Sequence, residues 1–410
     1  MSVAALQLSW RFVAGGLAIV TALLISVSLG LATQGVVATS TSVLAGLSVL
    51  TGSGFAHAAA FVASRRPAAA GRIAVRGALL AIAVGVVAGV LAGSLGPRIL
   101  PTLPVLWWQV GVALPFVQAG QFGLGLQQGL GASRGYVAIY VSQPLAAFVV
   151  AALASLVSSR TAEASDWAAP IVVIPFMVQG LISALGWARM PRRGEPEPIR
   201  SILLYTVRIY PSAVAHYLSY RLDLLLVGGL LGAGAAGLYS LALNGVDAVA
   251  RVGQTVATVL FRRFSEATVS QGVRLARRGA SAAGALSLFV GLMLGVLVSL
   301  FPASGEDVRV LGQLLLLLAI GGAGISAWTV LASYLAANNQ LAAAARVNFV
   351  LLSASVLCYV SLIPVIGVYG GAIGTSVGLS LAAVLGYREV GRAVTREPLA
   401  ATLLRKPFGK

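Results

Sequence analysis

Between Ile209 and Phe264 a nearly uninterrupted apolar stretch carries His216, Arg221, Asp223, Asp247 and Arg251, with Arg208 at its leading edge. In the middle of a bilayer-spanning helix an Arg or Asp costs about 2.5–3.5 kcal/mol on insertion scales. Such residues persist where they face a water-filled cavity, a partner or a substrate. The segment therefore points to something polar and anionic handled at membrane depth. Ser240, Asn244, Asp247, Arg251, Gln254 and Thr258 recur at steps of three or four, which puts them on one helical face. That face reads as a cavity wall on which Arg251 meets an anion and Asp247 holds or releases it. The alternative is a self-compensated i,i+4 pair that stabilises packing.

Tyr217 and Arg221 share a face of the preceding helix, with Tyr210 one heptad before Tyr217. Arg221 and Asp223 are two residues apart, so they point to nearly opposite sides and each needs a partner outside the helix. Arg221 falls near mid-membrane, where snorkelling is hard, and is the stronger cavity candidate. Arg208 is near enough to the cytoplasmic side to snorkel or to meet a phosphate. His216 is a candidate for a protonation-linked step, since imidazole titrates near neutral pH; Asp247 or Asp223 are alternatives for that part. His57 reads as a packing residue. Gln118, Gln121 and Gln128 on one helix, and Ser326, Thr329 and Ser333 on another, suit sugar recognition or act as interhelical glue.

The elements that must position these residues are set by composition. The 410 residues are 58% hydrophobic and 10% charged, with a mean hydropathy of +0.93. A soluble domain carries about 25% charged residues, so lipid is this chain's main solvent. Continuous apolar runs of this length exclude the ten-residue alternation of an outer-membrane barrel. The spacing predicts helices at 12–33, 36–63, 74–96, 105–128, 135–157, 168–189, 205–231, 235–261, 279–301, 308–336, 341–364 and 369–391. Basic residues concentrate after even-numbered helices, at Arg65, Arg66, Arg72, Arg134, Arg192, Arg193, Arg200, Arg262, Arg263, Arg274, Arg277, Arg278 and Arg346. The positive-inside rule then places both termini in the cytoplasm, and the expected location is multi-pass in the cytoplasmic (inner) membrane of a bacterium or archaeon. The net charge of +17 is accounted for by this topology and does not imply nucleic acid. The N-terminus lacks a signal peptide's basic n-region and cleavage site, and Trp10 and Arg11 read as an interfacial anchor.

The polar stretch Arg189–Arg200 divides the chain into two sets of six helices. The expected organisation is an N-terminal bundle (1–190), a cytoplasmic linker (191–200), a C-terminal bundle (201–391) and a basic tail (392–410). Leu29–Arg66 and Leu230–Arg263 share a Gly-bearing turn, a long weakly polar helix and a closing Arg-Arg pair. A parallel repeat of this kind places a substrate path between two bundles. The fold class is thus all-α integral membrane, about twelve transmembrane helices in two pseudo-symmetric six-helix bundles.

The chain lacks a Walker A sequence, a long external loop with paired carboxylates and any metal-ligand spacing, and its single Cys358 excludes a disulfide framework. These features point away from an enzyme and from any cofactor or metal.

Three stretches carry a family resemblance. Ser219–Leu243 (SYRLDLLLVGGLLGAGAAGLYSLAL) resembles the Arg-x-Asp, Leu-rich, Gly-Leu-Tyr-Ser pattern of polysaccharide flippases. Leu362–Val384 looks like their eleventh-to-twelfth helix connection, and the first two helices, with Gly35 at the turn, are similar to the family's opening. The superfamily is that of the multidrug/oligosaccharidyl-lipid/polysaccharide exporters. The resemblance implies a flippase that moves a polyprenyl-diphosphate-linked oligosaccharide across the membrane by alternating access. Its partners would be the lipid-linked oligosaccharide, membrane lipids, and a polymerase or glycosyltransferases of the same pathway, with no nucleic acid. Arg208, Arg221 and Arg251 would meet the diphosphate, and Asn244, Gln254, Tyr217, Gln118 and Gln121 would line the cavity. The alternatives are a cation- or proton-coupled drug antiporter of the same superfamily, which prefers an acidic cavity, and a non-transporting scaffold of a polysaccharide assembly complex.

Overall fold

A computed structural model describes residues 3–65, 67–158, 164–190, 199–300, 306–338 and 340–403; some side chains within these helices, including those of His57 and Arg208, lie outside the description. Most of the 191–200 linker and the end of the tail lie outside the described residues as well. Among the described residues there are twelve α-helices and no strand: α1 (Val3–Ser28), α2 (Leu31–Arg65), α3 (Ala70–Ile99), α4 (Trp107–Gly129), α5 (Ser133–Ser158), α6 (Ala168–Ala188), α7 (Ile199–Leu231), α8 (Ala233–Glu266), α9 (Val269–Ser299), α10 (Glu306–Ala337), α11 (Leu341–Ile366) and α12 (Val368–Leu403). In lipid every backbone polar group must be satisfied within its own segment, which is why the chain is helical throughout.

Eight helices (α2, α3, α5, α6 and α9–α12) contain stretches long and apolar enough to cross a membrane, and α1 has a shorter apolar run, Phe12–Ser28. The helices outside that class include α4, whose wall is diluted by amides, and α7 and α8, which carry the charges. Several boundaries differ from expectation: α1 (Val3–Ser28) and α2 (Leu31–Arg65) both begin earlier, and α12 (Val368–Leu403) runs on into the basic segment expected to be tail. Arg274, Arg277 and Arg278, read as loop residues, lie on the first turns of α9, where Arg277 Nη2 donates to Tyr387 O (3.4 Å). Hydropathy registers only the apolar part of a helix, and nothing in this basic segment stops α9 from beginning earlier.

The helices group into two compact units. The first comprises Met1–Asn244 and Leu362–Gly371, the second Gly245–Ser361 and Ala372–Lys410. The boundary thus runs through α8. In the first unit, Phe55, Ile73, Phe122, Leu126 and Trp187 form one buried cluster. Ile25, Val150, Ala151, Ile171 and Val172 join α1, α5 and α6 in another. In the second unit Ser287 Oγ donates to Ser326 Oγ (2.7 Å) and Trp328 Nε1 to Asn348 Oδ1 (3.2 Å). Thr329 and Ser333 return their hydroxyls to their own helix, so the α10 hydroxyls act as local and interhelical glue. Glu389 accepts from Arg346 (3.2 Å) and Arg392 (2.8 Å).

The turn glycines are Gly30 (φ 91°) between α1 and α2 and Gly232 (φ 89°) between α7 and α8, a backbone conformation that needs glycine. Gly35, expected at the turn, instead lies inside α2 at a helix crossing. A Cβ there would collide with the backbone carbonyl of Ala233, and a Cβ on Gly237 would collide with that of Leu31. Ala233 follows Gly232 as Leu31 follows Gly30, so each repeat makes the other's contact. Reciprocity of this kind is what a local two-fold relation between the start of α2 and the start of α8 produces. Small residues let the two backbones meet where lipid supplies no hydrophobic drive.

Candidate functional site

Seven helices of the first unit (α1, α2, α4–α8) enclose two neighbouring cavities. The smaller, about 230 Å³, is lined by Thr21 from α1, Gln34, Thr41 and Ser42 from α2, Gln143 from α5, Arg221 from α7, and Ser240 and Asn244 from α8, among apolar neighbours. Among the described residues Arg221 is its single charged lining residue. The guanidinium sits 5.1 Å from the centroid of the Tyr220 ring, a cation–π contact that orients it on the wall. Gln34, 4% exposed, donates from Nε2 to Ser240 Oγ (3.1 Å) and so ties α2 to α8. Its Oε1 is buried with no hydrogen-bond partner among the described residues. An acceptor in that position calls for a donor.

The larger cavity, about 430 Å³, is lined by Ser48, Gln121, Gln128, Tyr136, Tyr140 and Tyr217 together with apolar residues, and among the described residues none of its lining side chains is charged. Ala45 and Phe176 belong to both walls. Tyr136 and Tyr140, one turn apart on α5, stack with centroids 5.8 Å apart and planes at 11°. Pro144 follows them on the wall of the smaller cavity; lacking an N–H, it removes the backbone bond to the Tyr140 carbonyl. Tyr217 is seated at the border. Its hydroxyl donates to Ser42 O, and its ring passes over Gly46, where a Cβ would lie 2.9 Å from Cε1. One heptad earlier Tyr210 donates to Leu50 O (2.6 Å), so two tyrosines stitch α7 to α2.

The other residues singled out from the sequence lie elsewhere. Gln118 is buried away from both walls, and its Nε2 donates to Thr51 Oγ1 (2.7 Å) and Ser48 O (3.2 Å), clamping α4 to α2. Asp223 is fully buried; Tyr239 Oη donates to Oδ2 (2.7 Å) and Leu224 N to Oδ1 (2.7 Å). Its visible part is to join α7 to α8. His216 is exposed and stacks on Tyr220 with planes at 7° and centroids 6.3 Å apart. Asp247 and Arg251, half-buried, and Gln254, exposed, belong to the second unit and line neither cavity. The α8 stripe is therefore divided, with Ser240 and Asn244 on the cavity and the remainder beyond the unit boundary. Arg208 lies outside the described side chains.

Thr21, Gln34, Gln143, Tyr136 and Tyr140 escaped the sequence reading. Their signals are faint: single amides inside apolar runs and an i,i+4 aromatic pair on a helix read as plain membrane span. The Asp223 contact carries a direct test. Tyr239→Phe leaves the carboxylate without this donor and is expected to cost about 1–3 kcal/mol, read as a lower melting temperature of the purified protein in detergent. An unchanged melting temperature would mean that the bond does not hold α7 to α8.

Residues 136–290 match the family described as "Polysaccharide biosynthesis protein". No curated protein matches the chain. Among solved structures the chain is similar to an inward-facing multidrug resistance MATE family transporter of the MOP superfamily, at 14% identity over 98% of this chain and 100% of that one, TM-score 0.67. It is similar to the lipid II flippase MurJ in an inward closed conformation, at 10% identity over 99% and 94% of the two chains, TM-score 0.73. A MOP superfamily transporter from Pyrococcus furiosus matches at 14% identity over 97% and 98%, TM-score 0.60. At these identities the likeness is one of fold. With the family match, it bears out the resemblance read from the sequence.

Proposed function

We propose that this chain, which has the fold of the MOP superfamily transporters and a polysaccharide-biosynthesis match over residues 136–290, is a lipid-linked oligosaccharide flippase. It carries a polyprenyl-diphosphate-linked oligosaccharide from the cytoplasmic to the external leaflet. Two six-helix bundles, 1–190 and 201–391, alternate access to the substrate, with both termini in the cytoplasm. One observation carries the reading: among the described residues the single charge on either cavity wall is the guanidinium of Arg221, and no carboxylate lines either one. Arg presents a planar fork of donors that matches phosphate oxygens and keeps its charge when desolvated. An organic-cation antiporter needs the opposite wall. Asp223, the nearest acid in sequence, is committed to Tyr239.

In this reading Asn244 hydrogen-bonds the polar head beside Arg221; Arg208, Arg251 and Gln254 meet the substrate at another stage of its path, outside the cavity that holds the anion, and the polyprenyl tail stays in lipid. His216 and Asp247 are the coupling candidates. A polymerase or glycosyltransferases of the same pathway supply and consume the substrate. The test is ligand-induced stabilisation of the purified protein by geranylgeranyl diphosphate and by tetraphenylphosphonium. A ligand at 100 times its Kd stabilises by about 2.7 kcal/mol. The diphosphate is expected to raise the melting temperature and the cation to leave it unmoved. Stabilisation by the cation alone would sink the proposal.

A further inference from the structure

We propose that the larger cavity is a saccharide compartment: Tyr136 and Tyr140 carry the rings of the bound sugars, and Gln121 and Gln128 hydrogen-bond their hydroxyls, while the Arg221 cavity takes the anion. The inference rests on the flippase reading and divides its site into two chemically different halves.

The walls differ in kind. Among the described residues no charged side chain lines the larger cavity, so none of them balances a phosphate or a carboxylate there. What it offers is suited to a neutral polyhydroxyl compound. An aromatic face carries the negative end of a quadrupole, and the C–H hydrogens on one side of a pyranose ring are weakly positive and apolar. The parallel Tyr136–Tyr140 pair gives such a ring a flat platform. Each glutamine supplies donors and an acceptor, which a hydroxyl, itself donor and acceptor, can meet in either sense. Size agrees: 430 Å³ falls within the roughly 300–1,000 Å³ of small-molecule sites, and 230 Å³ lies below it. The shared Ala45 and Phe176 make the compartments neighbours, so a molecule whose anionic and saccharide parts are covalently joined can lie across both. Aromatic rings also attract cations. Here the stack is parallel rather than a surrounding cage, and no carboxylate accompanies it.

The experiment uses the purified full chain and measures affinity for geranylgeranyl diphosphate and for the same lipid bearing disaccharides of neutral hexoses or N-acetylhexosamines. At least one disaccharide is expected to tighten wild-type binding by about tenfold, the equivalent of 1.4 kcal/mol. Tyr136→Ala and Gln121→Ala each remove that gain, whereas Tyr136→Phe, which keeps the ring, retains it. Arg221→Ala has the complementary effect and weakens the lipid with and without sugar. Melting temperatures confirm that each variant is folded, and Gln121→Ala decides the matter should Tyr136→Ala not fold. The compartment is overturned if no disaccharide tightens wild-type binding, if the gain survives in folded Tyr136→Ala or Gln121→Ala, or if tetraphenylphosphonium binds the wild type and is lost in Tyr136→Ala. Failure of the bare diphosphate to bind wild type overturns the flippase reading itself, and this inference with it.

Discussion

Arg221→Ala is expected to slow translocation of a polyprenyl-diphosphate-linked saccharide by on the order of 10²–10³-fold. The figure follows from truncating one partner of a buried, hydrogen-bonded charge pair, which costs about 2–5 kcal/mol. The effect should be large because, among the described residues, no second cation lines either cavity of the first unit. Nearby Thr21, Gln34 and Asn244 can hydrogen-bond a phosphate but cannot neutralise it. Arg221→Lys keeps the charge and loses both the two-pronged donor geometry and the guanidinium's contact over Tyr220. It should fall between wild type and Arg221→Ala. The measurement is the rate at which a fluorescent lipid-linked saccharide becomes accessible to a quencher in proteoliposomes, at matched protein insertion. Wild-type rates in Arg221→Ala would remove Arg221 from the substrate path.

The second large effect concerns folding. Gly35→Val and Gly237→Val should each sharply reduce the yield of folded, monodisperse protein. Overpacking a well-packed core costs about 1–3 kcal/mol and occasionally more. Here the atoms met are backbone carbonyls of Ala233 and Leu31, which cannot rotate aside as a side chain can. Gly234 supplies the control from the same stretch, because a Cβ there meets nothing within 4 Å. Gly234→Ala should be neutral, or stabilising by up to about 1 kcal/mol, since alanine is the better helix former. Size-exclusion profiles of the three variants in detergent distinguish the cases. A Gly35→Val protein as well behaved as Gly234→Ala would show that α2 and α8 do not meet as described.

How much of this was legible in the sequence depends on the energetic cost of each feature. A lone Arg at mid-membrane is expensive and stands out in any apolar run, so Arg221 could be singled out from its type and position. Its spacing from Asp223 predicts that the two point to different sides of the helix; Arg221 lines the smaller cavity and Asp223 accepts from Tyr239. The partner of Asp223 was not legible: Tyr239 reaches it only because the Gly232 turn folds α8 back on α7. Uncharged amides and tyrosines cost little in a membrane helix, so Gln34, Gln143, Tyr136 and Tyr140 left no hydropathy signature. Gly35 is not the turn residue that its sequence context suggests. Its neighbour Gly30 makes the turn, and the need for Gly35 arises from a helix distant in sequence. The boundary inside α8 is likewise a product of three-dimensional contacts, so the polar stripe that looks continuous in sequence serves two units.

The most direct test of the account is a side-by-side transport measurement on the reconstituted wild-type protein. Proteoliposomes are loaded either with a fluorescent polyprenyl-diphosphate disaccharide or with a fluorescent organic cation, in the presence and absence of a proton gradient. A cavity whose one charge is Arg221 should accelerate leaflet exchange of the anionic glycolipid well above protein-free vesicles and leave the cation where it is. Movement of the cation with no acceleration of the glycolipid would contradict the account.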